Sequence, residues 1–542
     1  MAGRAYAPSL FDRYIRRVPW YVWAAAALAL ALLTPIGALF WLAANPQDNI
    51  WPHLWRTVLP GQINTTLYLM GGVAFVTATL GTGTAWLVTF CRFPGRDVLA
   101  VALLFPLAMP TYLLAYAYSD FFDDAGPVFN LWQALLPGMA YPSLHSLGGA
   151  VFVMSLVLYP YVFLSTRAAF IQQARGPVEA ARSLGHGPAS CFWRISLPLA
   201  RPALIVGVSL ALMECLNDIG AVEHLGVRTL TIGVYDTWLV RGNLAGAAQM
   251  ALVLLGFIAL LLALERSHRR GQAYAARAGQ TIINAPGSRI ALGRLGGMAA
   301  LLACLLPVLL GFILPVMLFF DHAARAEIHY GLAAATRNSV FLAMLAALLT
   351  CLIGMVMAYA ARLQAGRAMT LLTNAASLGY AVPGAVLAIG VMVVLAQTDS
   401  LSGGALAFGG TLTALLFAYL IRFMPLAFGT IEAGFGRIPG ALDMAARSLG
   451  HAPLSVLRHV HIPLLRPAVI VAALMVFVDV MKELPATLIL RPFDFETLAS
   501  SVYSYASLGA MDDAALPALI IIAVGLVPVG FVLGLLDRQS RI

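Results

Sequence analysis

The sequence predicts an all-α polytopic membrane protein with about twelve transmembrane helices in two homologous halves. Three observations support this fold class. The 542 residues are 61% hydrophobic and 11% charged, whereas soluble domains carry about 25% charged residues. Twelve apolar runs are long enough, or nearly so, to cross a bilayer. A polar stretch of 25 residues occurs twice, 265 residues apart, without a gap.

The apolar runs predict helices, because a spanning helix needs about 20 residues and satisfies its own backbone hydrogen bonds. They do not alternate apolar and polar residues, as the strands of a membrane barrel would. The first run is about 24 residues long, which exceeds the 7–15 residues of a signal-peptide core, so we expect an uncleaved first helix. The runs lie near 20–44, 65–90, 97–119, 148–170, 202–222, 246–264, 295–320, 338–361, 369–397, 405–430, 467–491 and 514–536.

The net charge of +9 follows the predicted topology. When the N-terminus is placed in the cytoplasm and the sides alternate, most arginines fall in inner segments, and the outer stretch SDFFDDAG (119–126) is acidic. This positive-inside pattern indicates orientation rather than a nucleic-acid partner. The arginines of the outer segments are Arg56, Arg228, Arg241, Arg325, Arg337 and Arg491. Both termini and both copies of the repeated stretch are predicted to be cytoplasmic.

The repeated stretch divides the chain into two halves. EAARSLGHGPASCFWRISLPLARPA (179–203) and MAARSLGHAPLSVLRHVHIPLLRPA (444–468) are identical at 14 of 25 positions. Six apolar runs precede a polar, basic linker and six follow it, so both halves have the same orientation, as in a parallel repeat. The predicted domains are a first half at 1–266 with its loop at 175–203, a linker at 267–290, and a second half at 291–542 with its loop at 440–468.

Each copy predicts a short helical hairpin. Ala180–Leu184 favours a helix, and Gly185 suits the left-handed position that follows one. Pro188 suits the first turn of a second helix, which we expect to end near Pro198. The equivalent residues of the second copy are Gly450, Pro453 and Pro463. Two matched hairpins on one side of the membrane favour a docking element over an ordinary amphipathic loop, because the loops of the other side have diverged further.

The hairpin sequence resembles the coupling loop of permease subunits of ABC importers. That family's spacing is E-A-A, three residues, Gly, nine residues, I-x-L-P, and the first copy matches it from Glu179 to Pro198. The second copy departs from it at Met444, Val460 and Ile462. The resemblance implies the type I ABC importer permease fold and docking of both loops on an ATP-hydrolysing partner. The residues implied in this contact are Glu179, Ala180, Ala181, Arg182, Gly185, His186, Ala445, Ala446, Arg447, Gly450 and His451.

The chain itself is not the ATPase. Its single lysine, Lys482, lies in VMKELPA, whereas a phosphate-binding loop requires G-x-x-x-x-G-K-[ST]. We therefore expect a transport subunit without a cofactor or catalytic residue of its own. ATP and Mg²⁺ are expected on a separate ATPase, present in two copies for the two loops.

Acidic residues interrupt the apolar segment that follows each hairpin. Pro202–Met213 precedes ECLNDIGA (214–221), and Pro467–Val478 precedes DVMKELPA (479–486). Interrupted apolar segments at corresponding positions of two halves indicate a transport path. The spacing of four places the two acids of each half on one face of a helix. The candidate path residues are Glu214, Asp218, Asp479 and Glu483.

Two interpretations of these acids remain open. An acidic side chain at the centre of a spanning helix costs about 2.5–3.5 kcal/mol unless it meets water or a partner. The four carboxylates either line an aqueous path and attract a hard cation, or they pair with neighbours such as Lys482 and Arg422 or cap broken helices. No pair of the five cysteines has metal-ligand spacing. His459 and His461 could suggest a metal pair, but their place in the second hairpin favours ordinary surface or interface histidines.

The segments 211–238 and 476–503 are similar to the ferric-iron branch of these permeases. This resemblance implies a bacterial inner-membrane protein that transports iron(III) delivered by a periplasmic iron-binding protein. Carboxylates are suitable ligands for such an ion. Branches that transport thiamine, polyamines or sulfate share the loops and remain alternatives. An ion-coupled secondary transporter would also explain the intramembrane acids, but it leaves the duplicated loops unexplained.

Overall fold

Long apolar helices form the framework of the chain, because a backbone in lipid must satisfy its hydrogen bonds internally. A computed structural model describes residues 20–123, 126–172, 178, 181, 183–275, 289–327, 330–364, 366–403 and 410–540. Among these residues, 11 helices are long and apolar enough to cross a membrane, or 12 if a bent pair forms one span. The prediction of an all-α polytopic protein is therefore confirmed.

The helices of the first half begin with a long apolar helix and include several short ones. They are α1 (Trp20–Ala44), α2 (Trp51–Thr57), α3 (Leu59–Phe90), α4 (Arg96–Ala102), α5 (Thr111–Phe121), α6 (Pro127–Leu135), α7 (Leu147–Gln172), α8 (Pro188–Cys191), α9 (Leu197–Asn217), α10 (Gly220–His224), α11 (Leu230–Leu239) and α12 (Leu244–Ala275). The strands β1 (Cys91–Arg92) and β2 (Ile290–Ala291) form one short parallel pair.

The second half repeats this order of long and short helices. Its helices are α13 (Arg294–Val308), α14 (Leu314–Ala323), α15 (Tyr330–Leu363), α16 (Arg367–Ala376), α17 (Gly384–Leu401), α18 (Leu412–Gly436), α19 (Gly440–Ser448), α20 (Pro453–Val456), α21 (Ile462–Met481), α22 (Pro485–Leu490), α23 (Leu498–Ser507) and α24 (Met511–Ser540).

A proline breaks the third apolar run of each half, which the sequence predicted as one helix. In the first half, Arg96–Ala108 and Thr111–Phe121 meet at an angle of 92°. Pro110 and Pro383 stand immediately before α5 and α17. Proline lacks an N–H and disfavours a helical conformation in the residue before it. The helical run therefore ends at this point in both halves.

The expectation that the second helix of each hairpin ends near Pro198 or Pro463 is wrong. A π-helical segment, Phe192–Ser196 or Leu457–His461, leads directly into α9 or α21. A π turn shifts the hydrogen bonding by one residue, so the chain accommodates the following proline without stopping. The continuous helices that result are Pro188–Asn217 and Pro453–Met481.

The chain forms two compact units. One contains the described residues of Met1–Leu39 together with Ser339–Val480 and Leu490–Phe493, and the other contains those of Phe40–Asn338, Met481–Ile489 and Asp494–Ile542. Each unit thus draws on both halves of the sequence. The predicted domain boundaries follow the duplication of the sequence and stay a prediction.

The same glycine contact joins two long helices within each unit. A Cβ at Gly81 of α3 would lie 2.8 Å from the backbone N of Phe163 in α7. A Cβ at Gly354 of α15 would lie 3.1 Å from the backbone N of Phe428 in α18. The distance at Gly81 excludes a side chain and the distance at Gly354 leaves little room for one, as at other tight helix contacts in membranes.

We expect Gly81→Ala to destabilise the protein, because the added methyl group would collide with the backbone of α7. Overpacking of this kind costs about 1–3 kcal/mol. Gly83→Ala on the same helix is the matched control, since nothing lies within 4 Å of a Cβ at Gly83. Thermal unfolding in detergent should show a lower Tm for Gly81→Ala alone. Equal melting of the two variants would contradict the contact.

Candidate functional site

Both hairpins turn on a glycine in the left-handed conformation. Gly185 has φ +85° and Gly450 has φ +81°, as the sequence predicted. The next residue closes the turn in each case, because His186 N–H donates to Ala181 O at 3.0 Å and His451 N–H donates to Ala446 O at 3.1 Å. These bonds satisfy carbonyls that the end of a helix would otherwise leave without partners. The two turns therefore have the same geometry.

The tip of each hairpin presents an apolar side chain to the surroundings. Leu184 is 80% exposed and Leu449 is 78% exposed. The ring of His186 lies 3.1 Å from Ser190 Oγ, and the ring of His451 lies 3.2 Å from Ser455 Oγ. Each histidine thus holds the turn against the helix that follows, and the leucine beside it is left available for contact.

The other predicted coupling residues differ in accessibility. Ala445 and Arg447 are exposed, whereas Ala181 and Ala446 are buried. A docking partner would therefore meet the neighbours of these two alanines rather than the alanines themselves. Three predicted residues lie outside the described part of the chain: Glu179, Ala180 and Arg182.

The sequence analysis missed an ionic cluster at the base of the second hairpin. Asp443 interacts with Arg362 and with His461. The side chain of His461 is fully buried, so of the two alternatives for this residue the surface position is wrong. Its neighbour His459 is exposed, as expected. The one available signal was an aspartate next to Met444, which stands where the first copy has a glutamate.

Asp218 lies at the break that follows the first long helix. α9 ends at Asn217, and the Asp218 carboxylate accepts a hydrogen bond at 2.7 Å from Ala221 N–H in the first turn of α10. The carboxylate thus satisfies a free N–H at the start of a helix. The expectation that Asp218 shares a helical face with Glu214 is wrong, because the helix ends between them.

Glu483 has the corresponding position after the second long helix, which ends at Met481. Its carboxylate accepts hydrogen bonds from Ala486 N–H at 3.0 Å and from Thr487 N–H at 3.1 Å. The Thr487 hydroxyl donates to the same carboxylate at 2.8 Å. Glu483 is only 5% exposed. It therefore does not share a helical face with Asp479 either, and it caps α22 as Asp218 caps α10.

The two breaks lie side by side within one compact unit. A Cβ at Gly220 would lie 2.9 Å from Leu484 Cδ2 and 2.8 Å from Tyr112 Cβ. A second link joins the halves nearby, where the Tyr503 hydroxyl of α23 donates to Glu223 of α10 at 2.9 Å. The broken segments of the two halves thus form one packed region.

His224, at the end of α10, is neutral at neutral pH. Burial, followed by the nearby His145, lowers the pKa of His224 to about 4. The ring packs edge-on against Tyr116 at 4.6 Å and contacts the Ser119 hydroxyl. This region therefore carries no positive charge from His224 to oppose a cation.

The remaining predicted path residues, Glu214 and Asp479, are partly exposed near the ends of α9 and α21. Arg422, which the sequence analysis considered as a partner for the acids, is buried and donates to Val382 O at 3.2 Å. Among the residues that the structure describes, no group of three His, Cys, Asp or Glu side chains is arranged to hold a metal ion.

Comparison with known families identifies the architecture. The family described as "Binding-protein-dependent transport system inner membrane component" matches twice, at residues 79–272 and 350–542. The chain belongs to this family. It is an ABC importer permease in which two homologous halves are fused, and each half supplies one match. As a member of a transport family, the permease is a transport subunit rather than an enzyme.

Relatives of the permease differ in the substrate that their names state. The "Fe(3+)-transport system permease protein FbpB 2" of Haemophilus influenzae is 24% identical over 84% of this chain and 86% of its own length. The "Probable ABC transporter permease protein y4fN" of Sinorhizobium fredii is 26% identical over 83% and 82%. A "Probable molybdenum ABC transporter permease protein" of Haloferax volcanii is 30% identical over 43% and 83%.

Substitution of Asp218 should separate its capping role from its charge. We expect Asp218→Asn to retain the free energy of unfolding, because the amide oxygen can still accept from Ala221 N–H. Asp218→Val removes the acceptor and should lower the free energy of unfolding by about 1 kcal/mol. Denaturant unfolding in detergent measures both values. If Asp218→Val were as stable as the unsubstituted protein, the carboxylate would not act as a cap.

Proposed function

We propose that the permease is the membrane subunit of an ATP-driven importer, and that both hairpins dock on separate ATPase subunits. The observation that supports this most directly is the preserved turn geometry of the two hairpins, with Leu184 and Leu449 exposed at their tips. A single exposed apolar side chain is common on protein surfaces, so the support comes from its repetition at matched positions of the two hairpins. The sequence contains no phosphate-binding loop of its own, so the ATP and Mg²⁺ sites belong to the partner, present in two copies.

We place the permease in the bacterial inner membrane with both termini and both hairpins in the cytoplasm. The family description supports the inner membrane, and the distribution of arginines along the sequence supports the orientation. In that orientation α10 and α23, which follow the long helices, lie towards the periplasm. A periplasmic binding protein is the proposed donor of substrate.

The long helices give the hairpins a mechanical connection to the breaks. Pro188–Asn217 runs without interruption from the first hairpin to the residue before Asp218. Its 30 residues span about 45 Å at 1.5 Å per residue. A movement of the first hairpin would therefore tilt this continuous helix, whose other end lies at the packed region around Asp218. ATP binding and hydrolysis by the partner would shift the population between two tilt angles of this helix.

Iron(III) is the proposed substrate, delivered by a periplasmic iron-binding protein. The relative from Haemophilus influenzae supports this choice, since its name states Fe(3+) transport and it aligns along most of both chains. Glu214, Asp218, Asp479 and Glu483 are proposed to contribute to the substrate path. Asp218 and Glu483 hold the broken helices in place, and Glu214 and Asp479 supply negative charge that attracts a hard cation.

The substrate is tested by uptake into proteoliposomes that contain the permease, its ATPase and its binding protein. With the binding protein outside the vesicles and the ATPase in their lumen, labelled iron(III) should accumulate in the lumen only when ATP is enclosed there. Molybdate, sulfate, thiamine and polyamines serve as competitors. Uptake of one of these without iron would refute the substrate, and uptake without the ATPase would indicate an ion-coupled transporter instead.

We expect Gly450→Val to uncouple ATP hydrolysis from transport, because valine is strained at the φ of +81° that the hairpin turn requires. Uptake per ATP should fall by about tenfold, the effect of 1.4 kcal/mol on a barrier. Gly185→Val should act in the same way.

Gly403→Val is the matched control for local strain. Gly403 has φ +64°, nothing lies within 4 Å of a Cβ at this position, and it lies outside both hairpins. Its uptake per ATP should equal that of the unsubstituted protein. An equal loss in Gly403→Val and Gly450→Val would mean that strain anywhere impairs transport, and would contradict a specific role of the hairpins.

A charge substitution tests the path separately. Glu214→Gln should lower iron uptake by about tenfold, because it removes the proposed attraction while conserving shape. Asp218→Asn, which keeps the cap, should have a smaller effect. Rates of uptake at saturating and at limiting substrate measure both. Unchanged uptake in Glu214→Gln would remove this residue from the path.

A further inference from the structure

The base of the second hairpin is held by an ionic cluster that joins four segments. Arg362, near the end of α15, donates from Nε to Asp443 Oδ2 at 2.9 Å, and its Nη2 lies 2.9 Å from the same oxygen. His461 Nε2, in the π-helical segment, donates to Asp443 Oδ1 at 2.6 Å. Both oxygens of the Asp443 carboxylate are therefore engaged, and the side chain is only 19% exposed.

Arg362 also binds the end of a third helix. It donates to Phe435 O at 2.7 Å and to Ile438 O at 3.0 Å, which are carbonyls at the end of α18. The Phe435 ring lies 5.5 Å from the guanidinium carbon and 5.3 Å from the His461 ring. A planar guanidinium with several fixed donors imposes one geometry on its partners. The hairpin, α15 and α18 are therefore tied at a single point.

At the three positions of the first half that correspond to Arg362, Asp443 and His461, the residues are uncharged. Counting from the matched glycines Gly81 and Gly354, Thr89 stands where the second half has Arg362. The positions of Asp443 and His461 in the repeated stretch correspond to Val178 and Ser196. None of these three residues is ionisable in the range of cellular pH.

The described residues of the first hairpin pack against apolar side chains. Val178 and Ala181 of the first hairpin belong to a buried cluster that includes Trp86, Phe90 and Phe170. Apolar contacts are not directional, so they hold a hairpin against its support without fixing one angle. A largely buried ion pair such as Arg362–Asp443 is costly to break, since removal of one partner leaves a charge without its counter-charge.

Resting on the proposed docking of the hairpins, we infer that Asp443 is a positioning residue that locks the second hairpin to α15 and α18. The second hairpin then transmits movement of its partner to α15 and α18 as a rigid body. A second consequence concerns the docking surface. Asp443 is turned inward and Met444 is 68% exposed, so the second hairpin offers its partner apolar side chains at this point rather than an acid.

Hydrogen exchange of the permease alone in lipid nanodiscs tests the lock without any ATPase. In Asp443→Asn, the backbone amides of 440–461 should exchange about tenfold faster, because hydrogen bonds to charged groups contribute about 1.5 kcal/mol or more. Arg362→Gln should have a similar effect, and the double variant should be no faster than either single variant, as expected for residues that act as one unit. Asp443→Glu, which keeps the charge, should restore part of the protection.

The matched control is Asp321→Asn, which removes an exposed ion pair with Arg325 and should leave exchange at 440–461 unchanged. The amides of the first hairpin and of α7 report whether each variant is still folded. Unchanged exchange at 440–461 in Asp443→Asn, or additive effects in the double variant, would overturn the lock.

A second measurement tests whether the lock matters for coupling. In the reconstituted complex, Asp443→Asn should lower uptake per ATP by about tenfold while ATP hydrolysis continues. Faster exchange with unchanged uptake per ATP would overturn the positioning role, although the lock itself would stand. Failure of the unsubstituted complex to transport with ATP would refute the proposed function instead, and the exchange experiment would still decide the lock.

Discussion

Every backbone N–H and C=O that lies in lipid must find its partner within the protein, and this constraint organises the whole chain. Uninterrupted helices meet it along most of their length. At the breaks the chain needs other acceptors, and it supplies them from buried or partly buried carboxylates at Asp218 and Glu483. Where a proline follows each hairpin, a π turn replaces a break. The long helices thus reach from the hairpins to the capped breaks as continuous rods.

Duplication has conserved the turns more strictly than the supports beneath them. Gly185 and Gly450, Pro188 and Pro453, and the two π segments keep the same geometry in both halves. The supports have diverged, since Trp86 and Phe90 pack under the first hairpin whereas Arg362 binds the second through Asp443. A partner that meets two similar tips would therefore encounter two bases built from different residues.

Much of this architecture could be predicted from the sequence. Hydrophobic length gives the helices, and glycine and proline give the hairpin turns, because those signals act within a few residues. The breaks at Pro110 and Pro383 were missed because apolar composition continues across them. The inward turn of Asp443 and the burial of His461 depend on Arg362, about 80 residues earlier in the sequence, and no local pattern reports such a contact. The capping role of Asp218 was one of two interpretations, and only the position of the Ala221 N–H distinguishes it.

The central claim is that the hairpin tips contact an ATP-hydrolysing partner. Its most direct test is site-specific cross-linking in the purified complex. Single cysteines would replace Leu184 or Leu449 in a background where the five native cysteines, which are buried, are exchanged for alanine. Both positions are expected to cross-link to the ATPase with a short bifunctional reagent. An intact, active complex in which neither position cross-links to the ATPase would contradict it.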